Sequence, residues 1–325
     1  MTKLSLTLAC WDYDRTRPLM DGRVQAEGLD LNLICLPVEE IFWRQVRHQE
    51  FDVSEFSLAY LTHFRSRGDW EYVGIPVFLS RMFRHGCVYI NTRAGIRCPQ
   101  DLAGKPVGLP AYQMTATVWV RGLFQHEYGL PPERVTWLYS REDIFPFDPP
   151  PGLSLRRIGP GQSLSAMLEA GEIVALITAR KPEAFVTGSG AVGRLFPDYR
   201  AAEEDYFRRT GIFPIMHTLV VRAEIARRHP WVPQSLYKAF DQARQLCYQD
   251  MAEAAALKYS LPWLLDEVER TQRLMGQDFW PYGLEPNRRA LETLVRYAHE
   301  QGLAARLIPI EQLFAEGTLD QYSIW

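Results

Sequence analysis

The stretch Phe213-Pro214-Ile215-Met216-His217-Thr218-Leu219-Val220-Val221-Arg222 decides the fold. Thr218 to Arg222 is apolar and rich in β-branched residues, so it reads as a strand. It comes after two sets of alternating strands and helices, and the chain beyond Val232 is mostly helical. A strand so placed returns to a sheet begun much earlier, which makes the first lobe discontinuous. His217 stands just ahead of it, at the expected hinge. A lone histidine beside a strand is more often structural, and its place among Pro214 and Met216 at a crossing raises the weight of a cleft role without reversing that preference.

The sheet it rejoins is read from the start of the chain. Leu4 to Ala9 alternates and forms a first strand. The segment after it, Trp11 to Pro18, carries Asp14 and Arg15 at a strand end, where open α/β sheets place ligand contacts. Leu29 to Leu36 is a second strand, followed by a helix to about His48. Phe51 to Ser57 is a third, and Leu58 to Arg65 a helix. Glu55 sits at that junction, either facing the same cleft or favouring the helix dipole. Tyr72 to Leu79 is a fourth strand and leads into Arg81-Met82-Phe83-Arg84-His85. Two guanidiniums, an aromatic ring and an imidazole fall within five positions there. Guanidiniums match carboxylates, and histidine moves protons near neutrality. The first crossing between lobes is expected around Tyr89 to Arg93.

A second sheet begins with Val107 to Leu109. The loop through Tyr112 opens a helix from about Ala116 to Tyr128. Its Thr-rich start, Thr115 and Thr117, offers an anion site or an N-cap at Thr115. Arg121 lies one to two turns further on. Val135 to Tyr139 is a strand, Glu142 to Ile158 a surface excursion, and Glu172 to Thr178 a strand that runs into Arg180. Leu195 to Asp205 reads as irregular. Near the end, Trp280 and Tyr282 are held by Pro281 and Gly283, as in an aromatic wall. This order of elements is that of an α/β, two-lobed, type 2 periplasmic-binding-protein-like fold with two interlobe crossings. The expected lobes are 1–90 with 218–325, and 91–217, with the ligand cleft between them.

Composition narrows the function. The 325 residues carry a formal charge of -3, which gives no reason to expect nucleic acid, although 31 arginines against 5 lysines weakly favour anion binding. The cysteines (Cys10, Cys35, Cys87, Cys98, Cys247) are odd in number and form no CxxC pair, which argues against a disulfide framework or structural zinc. No apolar run approaches the ~20 residues of a membrane span. The N-terminus lacks a secretory apolar core, so a cytoplasmic protein is expected. The sequence admits a homo-oligomer without specifying one.

Six blocks carry a family resemblance. They are Tyr13 to Leu19, Phe51 to Glu55, Arg81 to His85, Thr115 to Gly122, Pro214 to His217 and Met275 to Gly283. In order and across nearly the whole chain, they are similar to the blocks of the 4,5-dihydroxyphthalate decarboxylase family. The resemblance implies a cytoplasmic carboxy-lyase of phthalate degradation, converting 4,5-dihydroxyphthalate to protocatechuate and CO2. In that chemistry a ring hydroxyl supplies electrons, a general acid protonates the ring carbon, and CO2 leaves as aromaticity returns. A cation should grip the retained carboxylate, since gripping the departing one too tightly would stabilise the ground state.

The expected roles follow from that reaction. Arg15, Arg81 and Arg84, with Arg121 and Arg180, bind carboxylates, and Thr115 and Thr117 add an anion site. His85 is the preferred proton donor and His217 the next. Glu55 or Asp14 accepts the phenolic proton or orients a histidine. Phe83, Tyr112 and Trp280 contact the ring. No cofactor is needed and no metal is assigned. A divalent ion on the catechol oxygens is the one addition this chemistry admits, but His85, His217, Glu55 and Asp14 lack diagnostic ligand spacing. Two alternatives stand beside the enzyme. One is a non-catalytic cytoplasmic or ABC-transporter-type binding protein for an aromatic carboxylate. The other is a thiamine-pyrimidine-type synthase or binder.

Overall fold

The computed structural model describes residues 2–319 apart from 69 and 143. A first lobe runs β1 (Leu4–Cys10), α1 (Arg17–Met20), β2 (Leu29–Cys35), α2 (Val38–His48), β3 (Val53–Ser57), α3 (Leu58–Arg67) and β4 (Tyr72–Arg81). A second runs β5 (Val88–Asn91), β6 (Pro106–Leu109), α4 (Thr115–Tyr128), β7 (Thr136–Tyr139), β8 (Ser154–Arg157), α5 (Leu164–Ala170), β9 (Ala175–Ile177), α6 (Glu183–Val186), β10 (Val192–Arg194) and α7 (Tyr199–Thr210). Then β11 (Ile215–Arg222) rejoins the first sheet, and α8 (Ala223–Arg228), α9 (Trp231–Ala252), α10 (Leu264–Met275) and α11 (Arg288–Glu300) follow.

The first sheet has the order β2-β1-β3-β11-β4, with β11 antiparallel to both neighbours. The second has the order β10-β5-β9-β6-β7-β8. This is the two-lobed α/β architecture that the element order implies. Among the described residues, no helix is long and apolar enough to cross a membrane.

The boundaries differ from the expected ones. β5 pairs with β9 and β10 in the second sheet. The first crossing therefore falls between Arg81 and Val88, ahead of Tyr89, and the first-lobe segment stops short of residue 90. β11 begins at Ile215, so His217 lies inside the returning strand and the second lobe ends before residue 217. Alternation marks a strand but not the sheet it joins. Residues 1 and 320–325 of the expected first lobe lie outside the described residues. Leu195 to Asp205 is not wholly irregular, because α7 starts at Tyr199, where the Asp198 carboxylate accepts the Ala201 amide at 3.0 Å. The excursion after Glu142 returns as β8, parallel to β7 at the sheet edge.

Two junctions join the lobes outside the crossings. α4 has Met114 at its cap position, not Thr115. The Thr115 hydroxyl instead bonds Ser57 Oγ at 2.8 Å and accepts the Ala59 amide at 3.1 Å. A residue of the second lobe thereby satisfies a free amide at the start of α3 in the first. At the back, α11 packs on both α3 and α4. Gln301 accepts from Arg121 Nε at 2.8 Å and donates to the Val118 carbonyl at 3.0 Å. The Tyr297 ring lies over Gly122 so closely that a Cβ there would stand 2.0 Å from it. Gly122→Ala should therefore force α11 off α4 and cost about 1–3 kcal/mol by overpacking, read as a lower denaturation midpoint in urea.

Candidate active site in the interlobe cleft

A cleft of about 810 Å3 opens between the lobes, lined by Tyr13, Arg84, Thr115, Arg180 and His217 among others. Its chemical centre is a buried carboxylate. Glu55, on β3, is fully buried. Its Oε1 accepts from His217 Nδ1 at 2.6 Å and from the Tyr13 hydroxyl at 2.6 Å, and its Oε2 accepts the Trp11 amide at 3.0 Å. Burial alone would push this carboxyl up. The bond and charge of His217, the Tyr13 hydroxyl and the Trp11 amide outweigh it and hold the group below its ordinary value. An ionised carboxylate only accepts, so Nδ1 of His217 carries the hydrogen and Nε2 is presented to the cleft. Burial and the Glu55 charge push the Tyr13 phenol well above its usual range, so it stays a donor. The Phe42 ring meets His217 edge-on at 4.9 Å and limits its rotation.

A bulge aims the histidine. Ile215 pairs with Arg81, His217 with Ser80 and Leu219 with Ile75, so two residues along β11 answer to five along β4. Bulges of this kind re-aim side chains beside functional sites. The bulged β4 carbonyls are bound from outside the ladder. Pro76 O accepts the Gly283 amide at 2.8 Å, Phe78 O accepts Trp280 Nε1 at 2.8 Å, and Leu79 O accepts Arg15 Nε at 2.9 Å.

This takes three expected site residues out of the cleft wall: Arg15 and Trp280, expected to bind the ligand, and Asp14, expected to be catalytic. The Arg15 guanidinium lies between the Tyr13 and Trp280 rings, 4.2 and 4.1 Å from their centroids, and pairs with Asp14 at 2.8 Å. Arg15, Asp14 and Trp280 stand behind the acid–base couple and brace it.

Other expected site residues are also placed elsewhere. Arg81 points into the first lobe, toward Asn287 and the Pro281 carbonyl, and burial pulls its guanidinium down to about 9. Arg121 is fully buried against Gln301 and the Tyr112 ring, which itself stacks on Phe147. The Thr117 hydroxyl donates to the Ala111 carbonyl at 2.9 Å within its own loop. Phe83 packs on Phe213 at 4.7 Å. Each satisfies a local backbone or packing need that a sequence does not display.

His85, the preferred donor, is absent from the cleft wall. It is packed between Phe196 and Tyr206 and borders a void of about 10 Å3, room for roughly one water. Its Nδ1 has no hydrogen-bond partner, and burial pulls the imidazole down to about 4. It is neutral near pH 7 and does not line the cleft.

Of the expected arginines, Arg84 and Arg180 line the cleft. Arg84 is nearly buried, and its guanidinium faces sulfur: Met216 Sδ at 3.2 Å, Met82 Sδ at 3.6 Å and Cys87 Sγ at 3.6 Å. Sulfur is a weak acceptor. Among the described residues no carboxylate lies within ion-pair distance of Arg84. Glu203 feels its charge without pairing with it. Residues the sequence reading passed over include Tyr13, Ser57, Arg141 and Glu39, all on the cleft wall. Tyr13 was within reach of that reading, since it follows β1 at the same strand end as Asp14 and Arg15. Among the described residues, no group of three His, Cys, Asp or Glu side chains is arranged to hold a metal.

The two-lobed α/β fold thus carries a histidine on its cleft wall, bonded to a buried carboxylate behind it. The chain is 38% identical over 330 residues, covering 100% of both chains, to a 4,5-dihydroxyphthalate decarboxylase of Comamonas testosteroni. It is 37% identical over 214 residues, 64% of this chain and 83% of the other, to a 4,5-dihydroxyphthalate decarboxylase of Pseudomonas putida. The chain belongs to the 4,5-dihydroxyphthalate decarboxylase family. No protein-family model matches it. Among solved structures it is similar in fold to the periplasmic aliphatic sulphonate binding protein SsuA of Escherichia coli, with TM-score 0.54 and 11% identity over 98% of this chain and 100% of that one. A putative sulfonate ABC transporter's periplasmic sulfonate-binding protein SsuA, from Methylobacillus flagellatus KT, gives TM-score 0.57 and 11% identity over 97% and 92%.

The couple has a consequence for stability. The carboxyl of Glu55 is depressed in the folded state, so the stability it contributes is present above its unfolded value and lost as pH falls through the folded one. Glu55→Gln should therefore lose less stability than the parent between about pH 5 and about pH 3, in urea titrations at each pH.

Proposed function

We infer that this chain is a carboxy-lyase that removes CO2 from 4,5-dihydroxyphthalate to give protocatechuate. The observation that carries the reading is His217, fixed through Nδ1 by ionised Glu55 on the wall of the cleft. In this reading His217 is the general acid. A ring hydroxyl para to the leaving carboxylate pushes electron density to the carbon that bears it. Nε2 of protonated His217 delivers its proton there, the ring–carboxylate bond breaks, its electron pair returns to the ring, and CO2 departs. Glu55 is a positioning residue. It holds the tautomer and balances the imidazolium charge, in the manner of other carboxylate–histidine pairs.

Arg84 receives the retained carboxylate. A guanidinium whose contacts are thioethers and a thiol gains far more from a carboxylate than it loses in leaving sulfur. A protein that only binds carboxylates needs such an arginine but has no use for a buried carboxylate–imidazole couple, which favours turnover over a purely receptor role. The reading calls for no cofactor, no nucleic acid and no membrane. It places the protein in the cytoplasm with a small aromatic carboxylate as its partner.

Two tests separate the histidines and the arginines. His217→Ala should lower CO2 release from 4,5-dihydroxyphthalate by about 10²-fold or more while leaving ligand binding within a few-fold. His85→Ala should keep turnover near that of the parent, and loss of turnover there with His217→Ala active would reverse the assignment. Arg84→Met should raise KM by about tenfold or more. Arg15→Met, which loosens the bulge behind His217, should instead lower kcat at nearly constant KM in steady-state assays.

A further inference from the structure

The mouth of the cleft holds a pair of arginines apart from Arg84. Arg141 lies just past the end of β7 and Arg180 just past the end of β9, strands that flank β6 in the second sheet. Both side chains line the cleft, and so does Glu39, from the first turn of α2 in the first lobe. One oxygen of Glu39, Oε1, is shared between them. It lies 2.9 Å from an Arg180 nitrogen and 3.7 Å from an Arg141 nitrogen. A single carboxylate is thus bridged by two guanidiniums of the opposite lobe.

We propose that Arg141 and Arg180 form a second carboxylate-binding element of the cleft, and that Glu39 occupies it until a dicarboxylate ligand displaces it. The inference rests on the aromatic-dicarboxylate reading given above and extends it to the ligand's second, departing carboxylate, which these exposed arginines hold only loosely because Glu39 competes for them, so the ground state is little stabilised. Arg84 offers one guanidinium, whereas a phthalate-type ligand brings two carboxylates. The other acidic side chains on the cleft wall already have partners of their own. Glu40 pairs with Arg44 at 3.0 Å and Glu142 with Arg157 at 3.4 Å. Arg141 and Arg180 are bound by Glu39 alone among the ion pairs of the described residues.

The exchange is cheap in free energy. The side chains of Glu39, Arg141 and Arg180 are 41%, 42% and 76% exposed, and ion pairs between exposed partners contribute little. The released Glu39 remains in the first turn of α2, where the helix dipole favours a negative charge. A ligand carboxylate also arrives already oriented by its ring and by Arg84, so it gives up less freedom than Glu39 does when it bridges the pair. Glu39 then acts as a selectivity filter. A monocarboxylate satisfied by Arg84 has nothing with which to displace it, while a dicarboxylate does.

The test uses phthalate and benzoate, which lack the hydroxyls needed for decarboxylation, and measures their binding by calorimetry. Glu39→Gln should tighten phthalate binding by about three- to tenfold and leave benzoate within about twofold. The double variant Arg141→Met, Arg180→Met should weaken phthalate by about tenfold or more and again leave benzoate nearly unchanged. The proposal is overturned if the two ligands shift together in either variant, or if Glu39→Gln weakens phthalate. Because neither ligand turns over, this outcome is independent of the decarboxylase reading. Failure of that reading would show instead as absence of CO2 from 4,5-dihydroxyphthalate with the phthalate preference intact.

Discussion

A carboxylate with no access to water must find donors, and Glu55 finds all of its partners in two other segments of the first lobe. Trp11 and Tyr13 reach it from the end of β1, and His217 from β11. The cost of burying the charge is offset only when these segments are in register. The same requirement that stabilises the carboxylate therefore aligns β1, β3 and β11 at the cleft, and it leaves the second imidazole nitrogen of a cleft-lining histidine free of Glu55. Removing any one donor would leave a buried charge short of a partner, which is a larger perturbation than the loss of an ordinary surface bond.

Around that carboxylate the lobe is built in layers of support. The bulge in β4 re-aims His217, and its open carbonyls are closed by Arg15, Trp280 and Gly283. Arg15 in turn stacks on Tyr13, which donates to Glu55. Residues from the two ends of the chain thus meet behind one histidine. The late block around Trp280, which reads in sequence as a ring-binding wall, is a brace for the backbone.

Much of the fold was legible in the sequence because strands and helices announce themselves by period. The return of the chain at residues 218–222 could be read from its position, although the strand itself begins at Ile215. What a period cannot show is the sheet that a strand joins, which is why residues 88–90 are expected in the first lobe and lie in the second. The site was legible in kind more than in detail. His217, Arg84, Arg180 and Thr115 do line the cleft, and Glu55 is bonded to His217 behind its wall. Arg81, Arg121 and Arg15 looked equivalent to Arg84 in sequence, because a guanidinium bound to carbonyl or side-chain oxygens and one facing sulfur are spelled alike. His85 and His217 were ranked by their neighbours in the chain. The aromatic packing that removes His85 comes from α7 and from Phe196, more than a hundred residues away.

The hydroxyl of Thr115 gives the two lobes a shared piece of secondary structure. It accepts the Ala59 amide, so the first turn of α3 is completed by an atom from the opposite lobe. Moving the lobes apart along this face would strip that amide of its acceptor and fray the helix whose preceding residue, Ser57, lines the cleft. Separation and local unwinding are therefore the same event at this point. The floor of the cleft behaves less like a hinge than like a seam, and any shape change that keeps the seam intact has to take place at the opposite rim.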